Sequence, residues 1–313
     1  VPKVRQGSLE TQQREQLIQK LMEIGRRYWE KHWKESMALP DGLSLDDKES
    51  VTRYLLLRAL LNQQGDTSKV REFVKKLFAV FEKALLYDPQ HVERQFGDVL
   101  RIFQGIGGQR GSEIYHVGVL GGIKPLSLFL YRFAAFSIFV RSIEGGLYEL
   151  IKEKLSVSVH VLWEFLRDNP ILDGGWVGND PKAARMLTNW LIWLFNCVWS
   201  ELAIDLSETL MVVDGHVGKV FCRTGALETV SYEKKRPFII SAKDLRKDIE
   251  SLVRATLKAV PMFVDEGAFQ VAMNWCWERD PNCSICPLVT LCLAGQGSID
   301  HLRWTAYQKL KAR

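Results

Sequence analysis

The chain has little cysteine outside one short stretch. Of its six cysteines only Cys197 and Cys222 lie outside residues 276–292, too few for the disulfide framework of a stapled secreted domain. No stretch at its start combines a basic lead, an apolar run and a small-residue cleavage site, so the reducing cytoplasm is the expected compartment. No apolar run is both long and clean enough to span a bilayer. Residues 126–140 are interrupted by Arg132, and residues 186–204 carry Asn189, Asn196 and Glu201 among three tryptophans, against a need for about 20 apolar residues in a row. A phosphate loop is missing as well. Gly105, Gly107, Gly108 and Gly111 follow no β-run and offer neither a Walker lysine nor the G-x-G-x-x-G spacing. Neither sign of charge dominates: 42 basic residues face 37 acidic ones, a net charge of +5. That mild excess suits a polyanion without demanding one.

What is present is a large apolar fraction, 47% of 313 residues, enough to bury a core in one large domain or two lobes and to exclude disorder. The apolar spacing is helical almost throughout. Leu17, Leu21, Ile24, Tyr28 and Trp29 mark an amphipathic helix over residues 9–36, since residues three and four apart share a helix face. Ser44-Leu45-Asp46-Asp47 reads as the cap of a second helix, which ends at Asn62-Gln63-Gln64-Gly65. From Lys69 to Leu172 the pattern stays helical, punctuated by glycines. An all-α fold is expected.

Four cysteines, Cys276, Cys283, Cys286 and Cys292, are separated by six, two and five residues. Four thiolates in so short a segment can converge on one soft metal centre, either tetrahedral zinc or a cubane iron–sulfur cluster. Zinc sites more often present two close pairs across a longer arm; here one close pair is flanked by single cysteines.

Two further stretches carry chemistry. Residues 173–184, Asp-Gly-Gly-Trp-Val-Gly-Asn-Asp-Pro-Lys-Ala-Ala, lie between two helical runs. Asp180 suits an N-cap and Pro181 the first helical position. Glycines there leave backbone N–H groups for a nucleic-acid phosphate, which the positive end of the second helix also favours. Lys182 would sit in that helix's first turn, where the dipole and partial burial both favour a neutral amine nucleophile. The second stretch is Val213-Asp214-Gly215-His216-Val217-Gly218-Lys219-Val220, in which Asp214 can cap the helix that follows.

Taken together these stretches resemble the endonuclease III superfamily of helix-hairpin-helix DNA glycosylases, over roughly Tyr54 to Cys292. The cysteine spacing is similar to that family's C-terminal [4Fe–4S] loop, which implies Cys276, Cys283, Cys286 and Cys292 as ligands of such a cluster. Residues 177–182 resemble the hairpin Leu-Pro-Gly-Val-Gly-x-Lys, with Gly178 on its first glycine and Lys182 on its lysine, while Val177 replaces the proline and Asp180 the second glycine. Asp214 falls on the aspartate of the family's Val-Asp-Thr-His motif, and Arg223-Thr224 echo its Arg-Thr step. Gln64 falls on the glutamine that enters the duplex beside an extruded nucleotide. Arg279 is the only basic residue in the loop that meets phosphates in the family.

The resemblance implies two helical lobes with the active site in the cleft between them. Residues 1–45 would form an N-terminal helix packed on the cluster lobe, 46–205 a helical lobe ending in the hairpin, and 206–313 the cluster lobe. It further implies a monomer that acts on double-stranded DNA containing a damaged base, with no membrane partner. Lys182 would be the nucleophile of a bifunctional glycosylase and AP lyase, and Asp214 the carboxylate stabilising a cationic sugar. Without a lysine at the sugar, water would replace it in a monofunctional enzyme; without turnover, the chain would be a lesion-binding DNA protein. Between Lys182 and Asp214 lie 31 residues, more than endonuclease III has. That separation is closer to archaeal 8-oxoguanine glycosylases, which lack the cysteines, so both 8-oxoguanine and oxidised pyrimidines stand as substrates. Trp176, Trp190, Trp193 and Trp199 are expected to pack in the core.

Overall fold

The computed structural model describes residues 3–7, 9–63, 67–106, 125–176, 181–230, 242–277 and 280–297. It is all-α apart from one short ribbon. The chain divides into two compact units, Lys34–Ile204 and the pair of segments Val1–Trp33 with Asp205–Arg313.

The unit Lys34–Ile204 is built around a helix that is buried along most of its length. Helix α1 (Thr11–Met37) leaves helical geometry at His32 (φ −126°, ψ 16°), and its last residues lead into α2 (Lys48–Leu61). Asp47 caps α2 by accepting from the Ser50 N–H at 3.1 Å, as the acidic run before the helix foretold. In α2, Leu55, Leu56, Leu57, Ala59, Leu60 and Leu61 are all buried, the pattern of a helix enclosed by neighbours rather than lying on a surface. After it come α3 (Thr67–Phe81), α4 (Ala84–Tyr87), α5 (Pro89–Arg94), α6 (Phe96–Gly105), α7 (Pro125–Ser142), α8 (Leu147–Val157), α9 (Val159–Asp168), α10 (Pro170–Asp173) and α11 (Lys182–Trp193). Helices α7, α8 and α11 pack around α2. Glu49 of α2 reaches across to accept from Leu147 N (3.0 Å) and Tyr148 N (2.6 Å) at the start of α8. It satisfies two of the donors that a helix start leaves open.

Helix α11 is followed by a π-helical turn over Leu194–Val198. Its tryptophans pack as the helical spacing foretold: Trp176, Trp190 and Trp193 are buried, and Trp199 donates its indole N–H to the Leu45 carbonyl at 3.0 Å.

In the other unit, α12 (Gly215–Thr224), α13 (Ala242–Arg254) and α14 (Pro261–Asn274) pack on one another, and α1 meets α14. Leu17, Leu21, Val217, Val220, Phe221, Leu245, Ile249, Val253, Met262 and Val271 are buried here. Helices α1 and α14 meet backbone to backbone. A Cβ on Gly25 would lie 1.8 Å from the Phe263 carbonyl oxygen, and one on Gly267 would lie 1.9 Å from that of Leu21, so only glycine permits the approach.

The ribbon is what the all-helical reading did not foresee. Lys3–Gln6 (β1) pairs antiparallel with Leu227–Val230 (β2), Lys3 opposite Val230 and Gln6 opposite Leu227. Neither four-residue segment shows enough alternation to declare itself alone; β1 becomes a strand because β2 offers it an edge.

Candidate metal centre and its flanking residues

Helix α14 ends at Asn274, and the chain turns through Trp275 and Cys276 towards two short 3-10 turns, Cys283–Ile285 and Val289–Leu291. Helices of three residues leave most backbone groups free to face a ligand. Cys276, Cys283, Cys286 and Cys292 all line one small cavity, together with Val220, Arg223, Val271 and Leu288. None of the four is paired in a disulfide. Among the described residues no group of three or more His, Cys, Asp and Glu is arranged to hold a metal ion.

The last turn of α12 is stitched to this segment. Arg223 donates from Nη1 to the Cys276 Sγ (3.4 Å), the Cys276 carbonyl (3.3 Å) and the Trp277 carbonyl (2.6 Å). In return Leu293 N donates to the Thr224 carbonyl at 3.2 Å and Ala294 N to that of Arg223 at 3.1 Å. Gly295 N donates to the Cys292 Sγ at 3.3 Å. Gly225 closes the helix at φ 84° and sits tight against the Leu293 side chain, a left-handed cap that glycine adopts at low cost.

The electrostatics of the thiols follow from their crowding. Burial pushes Cys286 up to about 11, with repulsion from Cys292, Cys276 and Cys283 adding to it. Cys292 and Cys283 are raised for the same first reason, then by Cys276. Thiolates gathered in this way need a cation to be stable, because metal-ligating cysteine must be deprotonated.

At the other end of α12 stands Asp214. Its Oδ1 accepts from His216 N (2.8 Å) and Val217 N (3.0 Å), an N-cap on extended backbone. The residue is half-buried. His216 bonds Asp214 through its backbone, and its ring meets the edge of Phe269 at 5.7 Å and 88°.

Lys182 lies in the other unit, as the first residue of α11, and is exposed rather than partly buried. The helix starts one residue later than its sequence foretold. Pro181, with ψ 118°, is the N-cap and carries no capping side chain; its ring sets φ but leaves ψ free to be extended. Ahead of residues 177–180, which lie outside the described residues, stands a one-turn helix, α10, capped by Asn169 through Ile171 N and Leu172 N. Gly175 then packs against Leu60 and Ala135 with no room for a Cβ. The buried Gln63 amide donates to the Leu60 and Gly175 carbonyls at 2.8 and 2.9 Å, while Arg132 donates to the Gln63 carbonyl at 2.7 Å.

Gln64, Gly178 and Arg279, the residues expected at DNA, lie outside the described residues, as does Asp180. Sequence reasoning passed over Thr209, Gln63, Arg132 and Asp265. All four are buried polar groups whose partners are distant in sequence, and spacing carries no signal for such pairs. A scan of protein-family models and a search of curated protein sequences return no match for this chain.

Proposed function

We propose that the protein is a base-excision-repair DNA glycosylase with AP lyase activity, removing an oxidised base, 8-oxoguanine or an oxidised pyrimidine, from double-stranded DNA. The observation that carries this reading is the cavity lined by all four cysteines, joined through one helix to an aspartate at that helix's N-cap. The donor set fits a [4Fe–4S] cluster. All four ligands are sulfur, the wall is partly apolar, and backbone and guanidinium N–H groups point at two of the sulfurs. Four sulfurs could hold either a tetrahedral zinc or a cubane; one close pair flanked by single cysteines, rather than two close pairs across a longer arm, favours the cubane. When bound, the cluster supplies a structural cation here and takes no part in bond breaking.

The chemistry then falls to two side chains and a binding surface. Extrusion of the damaged nucleotide precedes reaction, at a few kcal/mol, with Gln64 filling the gap and Gly178 and Arg279 gripping phosphates. Asp214 stabilises positive charge on the sugar as the N-glycosidic bond breaks. The Lys182 amine attacks the anomeric carbon; the base departs with the bonding electron pair and takes up a proton. The attacking nitrogen gives up a proton, the C1′–O4′ bond opens with O4′ taking the electron pair and a proton, and the nitrogen lone pair completes an iminium at C1′; this acidifies the C2′ hydrogen, whose loss as a proton expels the 3′ phosphate with its C3′–O electron pair. Among the described residues no helix is long and apolar enough to cross a membrane, in keeping with a partner in solution.

The test is borohydride trapping on duplexes bearing 8-oxoguanine, thymine glycol or an abasic site. A covalent adduct lost in Lys182→Gln supports the lysine mechanism, and the duplex that yields it identifies the base. Base release without any adduct overturns the lyase step in favour of water. Binding with neither adduct nor release overturns the enzyme altogether.

A further inference from the structure

Helix α14 holds the stretch before and after Asp214 at three places, each across the same separation of 53 residues. Met262 N donates to the Thr209 Oγ1 at 3.2 Å, Val212 N donates to the Asp265 Oδ2 at 2.6 Å, and the Phe269 ring receives His216. Residues 262, 265 and 269 are three and then four apart, so they occupy one face of α14. The arrangement is reciprocal. Helix α14 begins after Val260, which has no capping side chain, and Thr209 satisfies one of its open N–H groups. Asp265 in return satisfies a backbone N–H two residues ahead of Asp214. Thr209 is fully buried, itself donating to the Leu206 carbonyl at 2.7 Å, and Asp265 is 7% exposed. The apolar neighbours Met211 and Val213, each 1% exposed, anchor the segment between them.

Burying a carboxylate costs several kcal/mol unless hydrogen bonds compensate it. A buried acid spent on a loop amide, when an apolar residue would fill the same space, points to a need for that loop to keep one conformation. We infer that Asp265 is a positioning residue for Asp214: it fixes the peptide at Val212 and thereby the direction from which the Asp214 carboxylate leaves the chain. This rests on the glycosylase reading, in which Asp214 faces the sugar. Misplacing a reacting group by about 1 Å costs on the order of 100-fold in rate, while binding of the duplex does not depend on it.

The experiment compares Asp265→Asn, Asp265→Val and Asp214→Asn with wild type in the full chain, measuring single-turnover base release, duplex affinity and hydrogen exchange at the Val212 amide. Asp265→Asn keeps an acceptor oxygen and is expected to retain the wild-type rate within about threefold. Asp265→Val is expected to lose on the order of 100-fold in rate, with duplex affinity unchanged and Val212 exchange accelerated; Asp265→Ala repeats the comparison should the valine variant fail to fold. Equal rates in Asp265→Asn and Asp265→Val, with Asp214→Asn inactive, overturn the positioning role and leave the glycosylase reading intact. Full activity in Asp214→Asn overturns that reading itself, and with it the role of Asp265.

Discussion

The Arg223 guanidinium donates to the Cys276 sulfur at 3.4 Å, and the two residues stand 53 positions apart, the separation at which Val212 meets Asp265. Helix α12 and the chain through α14 therefore keep one register from the residues before Asp214 to the first cysteine. Whatever holds the cysteines in place also holds the C-terminal turn of the helix that Asp214 begins.

If the four cysteines hold the proposed cluster, removing it should accordingly be felt beyond them. The purified chain is expected to be brown, with four iron and four sulfide per chain for the cubane. Chelation, or Cys286→Ser, should bleach the colour and lower the melting temperature, since a structural metal contributes directly to folding. A colourless protein containing one zinc would replace the cubane with a mononuclear site.

On the proposed glycosylase reading, Asp214 has two separable roles. As an N-cap it contributes about 1 kcal/mol, which Asn replaces almost fully and Ala does not. Asp214→Asn should thus melt close to wild type but fail to release base, while Asp214→Ala should fail in both respects. Chemical denaturation alongside single-turnover kinetics separates the two. Equal stability of the two variants would mean that the observed cap contributes nothing.

Glu201 joins Lys152, Lys48 and Tyr148, with the Lys152 pair at 2.8 Å. The hydrogen bond from Lys152, then those from Lys48 and Tyr148, hold its carboxyl at about 2, below its usual 4.5. Because the folded value is depressed, the stabilisation is fully present above pH 4.5 and is lost as pH falls towards 2. The stability difference between wild type and Glu201→Gln should therefore be constant near neutrality and shrink below pH 4.5, as read from denaturant midpoints across that range.

Arg58 is 1% exposed, and among the described residues none of its three guanidinium nitrogens finds a hydrogen-bond acceptor. Its compensation is the Trp190 ring, 4.2 Å from the guanidinium carbon. Burial drives the group down to about 9, and the nearby Arg71 pushes the same way. A desolvated cation–π contact contributes about 2 kcal/mol, less than the several kcal/mol lost in burying a charge. Arg58→Met is thus expected to raise stability by about 1 kcal/mol or more, measured by urea denaturation. A large loss would reveal an anionic partner for Arg58.

Local order determined what could be read in advance. The 3.6-residue spacing of apolar side chains marked the helices, Asp47 and Asp214 announced their caps through side chains that bond amides two and three residues on, and the four cysteines declared a shared site by proximity alone. These are short-range relations, and a chain carries them wherever it folds. The tertiary structure alone decided the rest. Lys3–Gln6 became a strand only because Leu227–Val230 lay beside it. Gly25 and Gly267 mattered because two helix backbones meet there. Asp265 and Gln63 took up the Val212 amide and the Gly175 carbonyl, partners 53 and 112 residues away. An unsatisfied backbone group in the interior costs as much as a lost hydrogen bond, and which side chain answers it is settled by packing, not by sequence distance.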